Sequence, residues 1–456
     1  MQIRLAILIV ITITLLTVSI LFEAIPLYVP LLAGSLYSAW MAWSQQQKNV
    51  REILHSAFTG VVETKKLIGI FLLIGALIPV WSLSGVIDSM VYHGTSFITP
   101  PFLIIFAFLL SLIVSMLLGT SVGTMSTVGV AVIGLAHAFQ MPIGPVAGAL
   151  VSGAFIGDRT SPLSGSAHLT ATMTGTSFFQ GWKVIVKSII PVVILCILLY
   201  AGLGFIYGDT PFHSSDRIEV RQRLLEPFAF FSIWLWLPPL SVLLCALLRV
   251  PVLYNLAQAI LLSAMIGIIQ YQIPVPFLLH SLWTGVERQG STIGGIWPMI
   301  QALWVIMSAG IFYGTMQSAR ILDQVGQFLT EGAKTPGQLM RRTGLFSLGI
   351  SLLTCNQTLC LMIPGKLMRR SYQRIGLTSS HLLRTISDTG MVISGWIPWN
   401  LNAILCASAI GVSVVKYMPF AFLLFLLPLF FFWRTHREDP GPTDSPSTSD
   451  LHKIPI

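Results

Sequence analysis

The chain has 456 residues, of which 54% are apolar and only 9% are Asp, Glu, Lys or Arg, with a formal charge of +9. An ordinary soluble domain carries about 25% charged residues, so this composition excludes a water-surfaced globule. The basic residues are scattered through short loops instead of forming one stripe, which argues against a nucleic-acid-binding face.

Long apolar runs follow one another from residue 5 to residue 433, and about 20 such residues carry a helix across the hydrocarbon core. Lipid offers the backbone no hydrogen-bonding partner, so spans must be helices or a closed barrel, and runs this long do not alternate as barrel strands do. The expected fold is an all-α polytopic membrane protein. Two spans, about residues 3–22 and 25–43, open the chain; the first is longer than a usual signal-peptide core, lacks a small-residue cleavage site and is read as an uncleaved helix. An amphipathic polar stretch follows from Ser44 to Lys66. From Leu67 to Ile206 the only charged residues are Asp88, Asp158, Arg159, Lys183 and Lys187. The polar segment 207–227 then reads as a connector between an N-terminal membrane half, 1–206, and a C-terminal one, 228–433. Spans are expected in the second half near 228–248, 252–270, 296–320, 343–363, 390–413 and 416–433. With short and re-entrant pieces the total is about ten to twelve segments. The tail, 434–456, is too poor in apolar residues to fold alone.

Basic residues cluster at Arg4, at Lys48, Arg51, Lys65 and Lys66, and from Lys366 to Arg384. By the positive-inside tendency these places, and the N-terminus, face the cytoplasm of an inner (plasma) membrane. The five cysteines sit singly in apolar stretches and read as packing residues.

The most informative stretch runs from Gly119-Thr120-Ser121-Val122-Gly123-Thr124, through Pro142 to Gly148, to Gly153-Ala154-Phe155-Ile156-Gly157-Asp158-Arg159-Thr160-Ser161-Pro162-Leu163-Ser164. Gly119 with Gly123, Gly144 with Gly148 and Gly153 with Gly157 are at G-x-x-x-G spacing, which lets helices approach closely. Packing alone accounts for those glycines. It does not account for hydroxyls, a helix-breaking Ser-Pro and a carboxylate in one apolar segment, since an Asp at the bilayer centre costs about 2.5–3.5 kcal/mol on insertion scales. Arg159 is the nearest neutralising candidate, but adjacent helical residues point apart. In the second half Thr354-Cys355-Asn356-Gln357 precedes Ser387-Asp388-Thr389-Gly390 and then Ile397-Pro398-Trp399-Asn400. Each half reads as a hydroxyl or amide cluster, an aspartate and a proline break, the pattern expected of a transporter site between repeats. Sodium prefers oxygen ligands, and burial disfavours the charged form of a carboxylate, so a proton and a metal ion can compete for one aspartate.

These motifs resemble those of the NhaC family of sodium/proton antiporters. The Gly-Thr-Ser-x-Gly-Thr run at Gly119, Ala147-Gly148-Ala149 and the stretch from Ser152 to Ser164 carry the first-half likeness. Asn356-Gln357, Pro364-Gly365, Asp388-Thr389-Gly390 and Ile397 to Asn400 carry the second, over about residues 25–430 in all. The resemblance implies two inverted repeats with broken or re-entrant helices, a transport part moving against a scaffold part, and room for a homodimer. It places ion or substrate binding on Thr120, Ser121, Thr124, Asp158, Ser161 and Ser164, and on Asn356, Gln357, Asp388, Thr389 and Asn400, with sodium on Asp158 and Asp388. Sodium and protons are the expected partners and no cofactor is implied. Where the family usually continues with Asp-Thr-Thr-Asn this chain has Gly165-Ser166-Ala167-His168, and the acidic residue usual before the second aspartate is Ser387. His168 either takes up proton handling or is a packed, hydrogen-bonded residue.

Asp88, Glu287, Arg288, Arg320 and Asp323 are expected in interfacial water, with a further break around Glu287. The match of Gly119 to Gly123 to G-x-S-x-G lacks the strand-to-helix elbow that a hydrolase needs, so no enzyme is expected. A carrier of a small organic acid or amino acid coupled to sodium or protons is the alternative, because carboxylate-poor sites at helix N-termini suit an anion.

Overall fold

The structure, a computed structural model, describes residues 2–22, 25–46, 48–208, 214–226, 231–288, 291–321, 333 and 335–437. Six of its helices are long and apolar enough to cross a membrane: α4 (Lys65–Leu83), α6 (Pro100–Leu118), the Ser121–Ala138 run, α11 (Phe178–Tyr207), α14 (Val252–Tyr271) and α16 (Ile296–Ser318). The pair Leu401–Ile410 and Val414–Phe420, bent by 89°, makes a seventh if taken as one span. Shorter apolar helices lie at Val10–Ile20 and Ile233–Leu247, and a three-residue hairpin pair is the one sheet among the described residues. The chain is therefore an all-α, multi-pass membrane protein.

Other segments expected to span come out broken. In place of one helix over 343–363, α17 (Pro336–Thr354) stops at Cys355, whose φ is +57°, and α18 (Gln357–Arg374) restarts after Asn356. The expected 390–413 span is split likewise. Helix α19 (Ser379–Ile386) runs into a π turn at Ser387–Met391, and α20 (Leu401–Ile410) begins only after Asn400 caps it. The first half has the same break where α6 ends at Gly119, φ +68°, and a four-residue turn, α7 (Ser121–Thr124), starts at Thr120. A π turn joins α7 to α8 (Val130–Ala138). Helix α9 (Ile143–Thr160) stops before Pro162, and α10 (Gly165–Thr174) is capped by Ser164.

These stops and starts share one register. N-caps pair at 236 positions' separation: Thr99 with Thr335, Thr120 with Asn356, Ser164 with Asn400 and Ser177 with Ser413. So do the left-handed residues: Gly119 with Cys355, Gln140 with Gly376, and Gly175 with Gly411. A left-handed residue frees the chain from the helix and the next polar side chain accepts an orphan N–H, so the same break can be written in different residues. One copy falls in each expected half. In this register Asp158 stands opposite Ser394 and Asp388 opposite Ser152. The two aspartates are not at equivalent positions, unlike the motif order read above.

Glycines set how closely the site-bearing helices pack. A Cβ on Gly153 would come within 2.4 Å of the Phe108 carbonyl oxygen, and one on Gly157 within 2.2 Å of the Ser115 carbonyl carbon, so α9 lies directly on α6. The polar stretch 44–66 contains α3 (Val50–Glu63), crossing α16 where Gly60 meets Gly310. The connector 207–227 contains a helix, α12 (Ser214–Leu225). Asp88, expected in interfacial water, is buried at 5% exposure. Gly85 turns the chain straight from α4 into α5 (Val86–Phe97), which packs on α8 and α12, and the first turn of a helix suits a carboxylate. Glu287 lies exposed on a short hairpin (Val286–Arg288 with Ser291–Ile293) that breaks the chain between α15 (Val275–Thr284) and α16. Asp323, the Arg288 side chain and residues 438–456 of the tail lie outside the described residues.

Candidate functional site

Asp158, 4% exposed, sits two residues before the end of α9 against the break of the other repeat. The Gln357 side chain, at the first turn of α18, donates through Nε2 to Asp158 Oδ2 at 3.0 Å and to the Met391 carbonyl at 3.2 Å. Its Oε1 accepts from Asn402 Nδ2 at 3.0 Å. On the other side, Ser166 Oγ donates to Asp158 Oδ1 at 3.2 Å. Every side chain bonded to this carboxylate is neutral, and among the described residues it forms no salt bridge. Nearby, Ser121 on α7 and Cys406 on α20 are buried where these two elements pack on each other, and α7 also packs on α9. The carboxylate and hydroxyl oxygens of Asp158 and Ser166 from one repeat thus meet the Gln357 amide of the other at one buried point, where the carboxylate can take a hard monovalent cation or a proton.

The other expected residues mostly build the breaks. Thr120, Ser164, Asn356 and Asn400 accept from backbone N–H groups as N-caps, and Ser164 also donates to the Asp158 carbonyl. Asn400 Nδ2 reaches the Ser351 carbonyl at 3.2 Å. Ser161 Oγ donates to Met116 O at 2.6 Å and accepts from Leu163 N at 3.1 Å, locking the Pro162 turn. Thr124 and Thr389 bond carbonyls one turn back, at 2.8 and 2.6 Å. Ser166, Asn402 and Cys406 escaped sequence reasoning, because a side chain that reaches the site across a break follows no helical spacing. The only signal was that Ser166 lies in the stretch where the family pattern is departed from.

Asp388 has a different environment. Arg159, fully buried, donates through Nη2 to Asp388 Oδ1, and Arg384 donates through Nε to Asp388 Oδ2 at 3.2 Å. Ser188 Oγ donates to Asp388 Oδ1 at 3.0 Å. The Arg159 guanidinium also donates to the carbonyls of Ile185, at 2.8 Å, and Ser387, at 3.2 Å, and to Ser188 Oγ at 2.8 Å. Asp158 and Asp388 thus share no side-chain partner: neutral groups bond one and two guanidinium groups hold the other.

Two cavities flank the breaks. The larger, about 340 Å3, is lined by Gly119, Thr120, Lys66, His168, Arg249 and Asn255 among others, and no acidic side chain faces it. His168 Nε2 donates to the Pro162 carbonyl at 2.8 Å and its ring lies 4.7 Å from that of Phe178. A second, of about 10 Å3, is lined by Glu63, Tyr313, Thr354, Asn356 and Leu401.

Broken helices from two copies of one motif, meeting at a buried carboxylate, define a secondary membrane transporter. The profile of the Na+/H+ antiporter family matches residues 173–433, more than half of the chain, and the chain belongs to that family. It is 29% identical over 421 residues to the Na(+)/H(+) antiporter NhaC of Bacillus subtilis (strain 168), covering 89% of this chain and 90% of that one. The Na(+)/H(+) antiporter NhaC of Alkalihalophilus pseudofirmus is 28% identical over 89% of this chain and 88% of its own. The Malate-2H(+)/Na(+)-lactate antiporter of Bacillus subtilis is 27% identical over 82% of each. The chain is a transporter and not an enzyme.

Proposed function

We propose that the protein exchanges sodium for protons by letting the two compete for Asp158, with Gln357 and Ser166 donating to its charged form and no cofactor taking part. The observation that carries this reading is a buried carboxylate, at the meeting of both repeats, with only neutral partners. An ion or a proton then supplies the charge that the surroundings do not. In this reading the two repeats face opposite sides of the inner membrane, the N-terminus and basic loops are cytoplasmic, and a homodimer through the scaffold rests on family resemblance alone. The test is sodium efflux driven by a pH gradient in proteoliposomes. Asp158→Asn is expected to abolish it while the protein still inserts and folds; wild-type flux in that variant removes Asp158 from the mechanism.

A second reading has its own observation. Lys66, Arg249 and His168 around the larger cavity, with Thr120 and Asn255, suit a small organic anion better than a bare cation. A relative named for malate and lactate matches most of the chain. Labelled carboxylic acids that exchange only in the presence of a sodium or proton gradient would establish that reading, and sodium flux indifferent to them would remove it.

A further inference from the structure

We infer that Asp388 is a positioning counter-ion and not an ion ligand, so that Asp158 alone handles cargo and each cycle exchanges one sodium ion for one proton without net charge movement. This rests on the exchange at Asp158 proposed above.

The argument begins with the buried charges. Arg159, Arg384 and Asp388 are 0–2% exposed and touch one another, two cations to one anion. Both carboxylate oxygens of Asp388 are engaged by guanidinium groups, and Ser188 adds a third donor. A sodium ion reaching that carboxylate would have to displace a guanidinium, leaving it buried without a counter-charge, and an unpaired buried charge costs several kcal/mol. Arg384 is already short of partners, since its Nη2 is buried with none. The charge of Asp388 is therefore already outmatched by two guanidinium groups, and a further cation there would meet their repulsion.

Its geometry suits another task. Arg159 follows Asp158 directly and reaches from α9 to the π turn of the second repeat, bonding both the Asp388 side chain and the Ser387 carbonyl. That clamp fixes the end of α9 against the element whose Met391 carbonyl orients Gln357. Gln357 in turn holds Asp158. Asp388 thus acts on the ion site through Arg159 and the backbone without touching the cargo. The third buried acid among the described residues, Asp88, lies on α5, outside this cluster. One carboxylate that takes either Na+ or H+ carries one unit of positive charge in each direction, and the cycle sums to zero.

The test uses the full chain in proteoliposomes with a potassium diffusion potential of about 100 mV and no pH gradient. A cycle moving one net charge would drive sodium to roughly a fifty-fold gradient at that potential. The inference expects no accumulation, while a pH gradient alone drives flux; accumulation that tracks the potential overturns it. The second arm compares Asp388→Gln with Arg159→Gln/Asp388→Gln. The single variant leaves two buried cations unopposed and is expected to fold poorly or lose flux. The double variant restores the net charge of the triad but weakens the clamp, and is expected to regain part of the flux, with a raised sodium KM, still potential-insensitive and with sodium and protons still competing. Loss of sodium dependence in a folded double variant would make Asp388 a ligand. If Asp158→Asn is inactive and the wild type nevertheless responds to potential, the stoichiometry fails and the exchange site stands; if Asp158→Asn is active, the site itself fails.

Discussion

Asp158 and Arg159 are neighbours in the chain that serve different partners. On a helix, consecutive side chains diverge by about 100°, so one turns toward the amide of Gln357 and the other toward Asp388. The bond from Gln357 is the charge-assisted kind, about 1.5–3 kcal/mol each. Gln357→Leu keeps the bulk but removes the donor to Asp158 and the acceptor for Asn402. Sodium should then compete less well, with its KM raised about tenfold at fixed pH on the scale of that single bond. A sodium titration of flux at constant pH checks this, and an unchanged KM would mean that Gln357 holds the helices without tuning the ion.

The breaks are built from backbone conformation. Gly119 is left-handed, and a Cβ there would lie 2.5 Å from the Leu163 carbonyl carbon, in the turn that carries Ser164 and Gly165. Gly119→Ala should therefore cost at least the left-handed penalty of about 1–2 kcal/mol and lower the thermal midpoint. Gly165 is the control within the same break: nothing lies within 4 Å of its Cβ position and it opens a helix, so Gly165→Ala should be neutral or stabilise by up to about 1 kcal/mol. Thermal unfolding of the purified variants in detergent decides both; equal midpoints would show that the Gly119 turn yields without strain. This element also marks where sequence reading stopped. Apolar runs announced helices because lipid permits little else. The stop at Cys355 gave no warning, since cysteine has no left-handed preference and is held there by Asn356 capping the next helix.

At the scale of the molecule, the repeat and its asymmetry were the least legible features. Matching letters paired Asp158 with Asp388, whereas the caps set a register in which neither aspartate has an acidic counterpart. The clamp between Arg159 and Asp388 joins residues 229 positions apart, beyond the reach of any local periodicity. The same register relates the two cavities. Leu118, Thr120 and Gly165 line the large one, and their counterparts Thr354, Asn356 and Leu401 line the small one. If the repeats face opposite sides, these are one vestibule in its open and closed forms, and cargo exchange should swap them. Thr120→Cys and Asn356→Cys, each with Cys245→Ser to remove the half-buried native thiol, allow the comparison, since the other four cysteines are buried. Membrane-impermeant thiol reagents should reach the two positions from opposite sides, and conditions that speed one labelling, such as saturating sodium, should slow the other. Labelling of both from the same side, or rates that rise and fall together, would exclude an inverted pair of vestibules even if sodium flux remained normal.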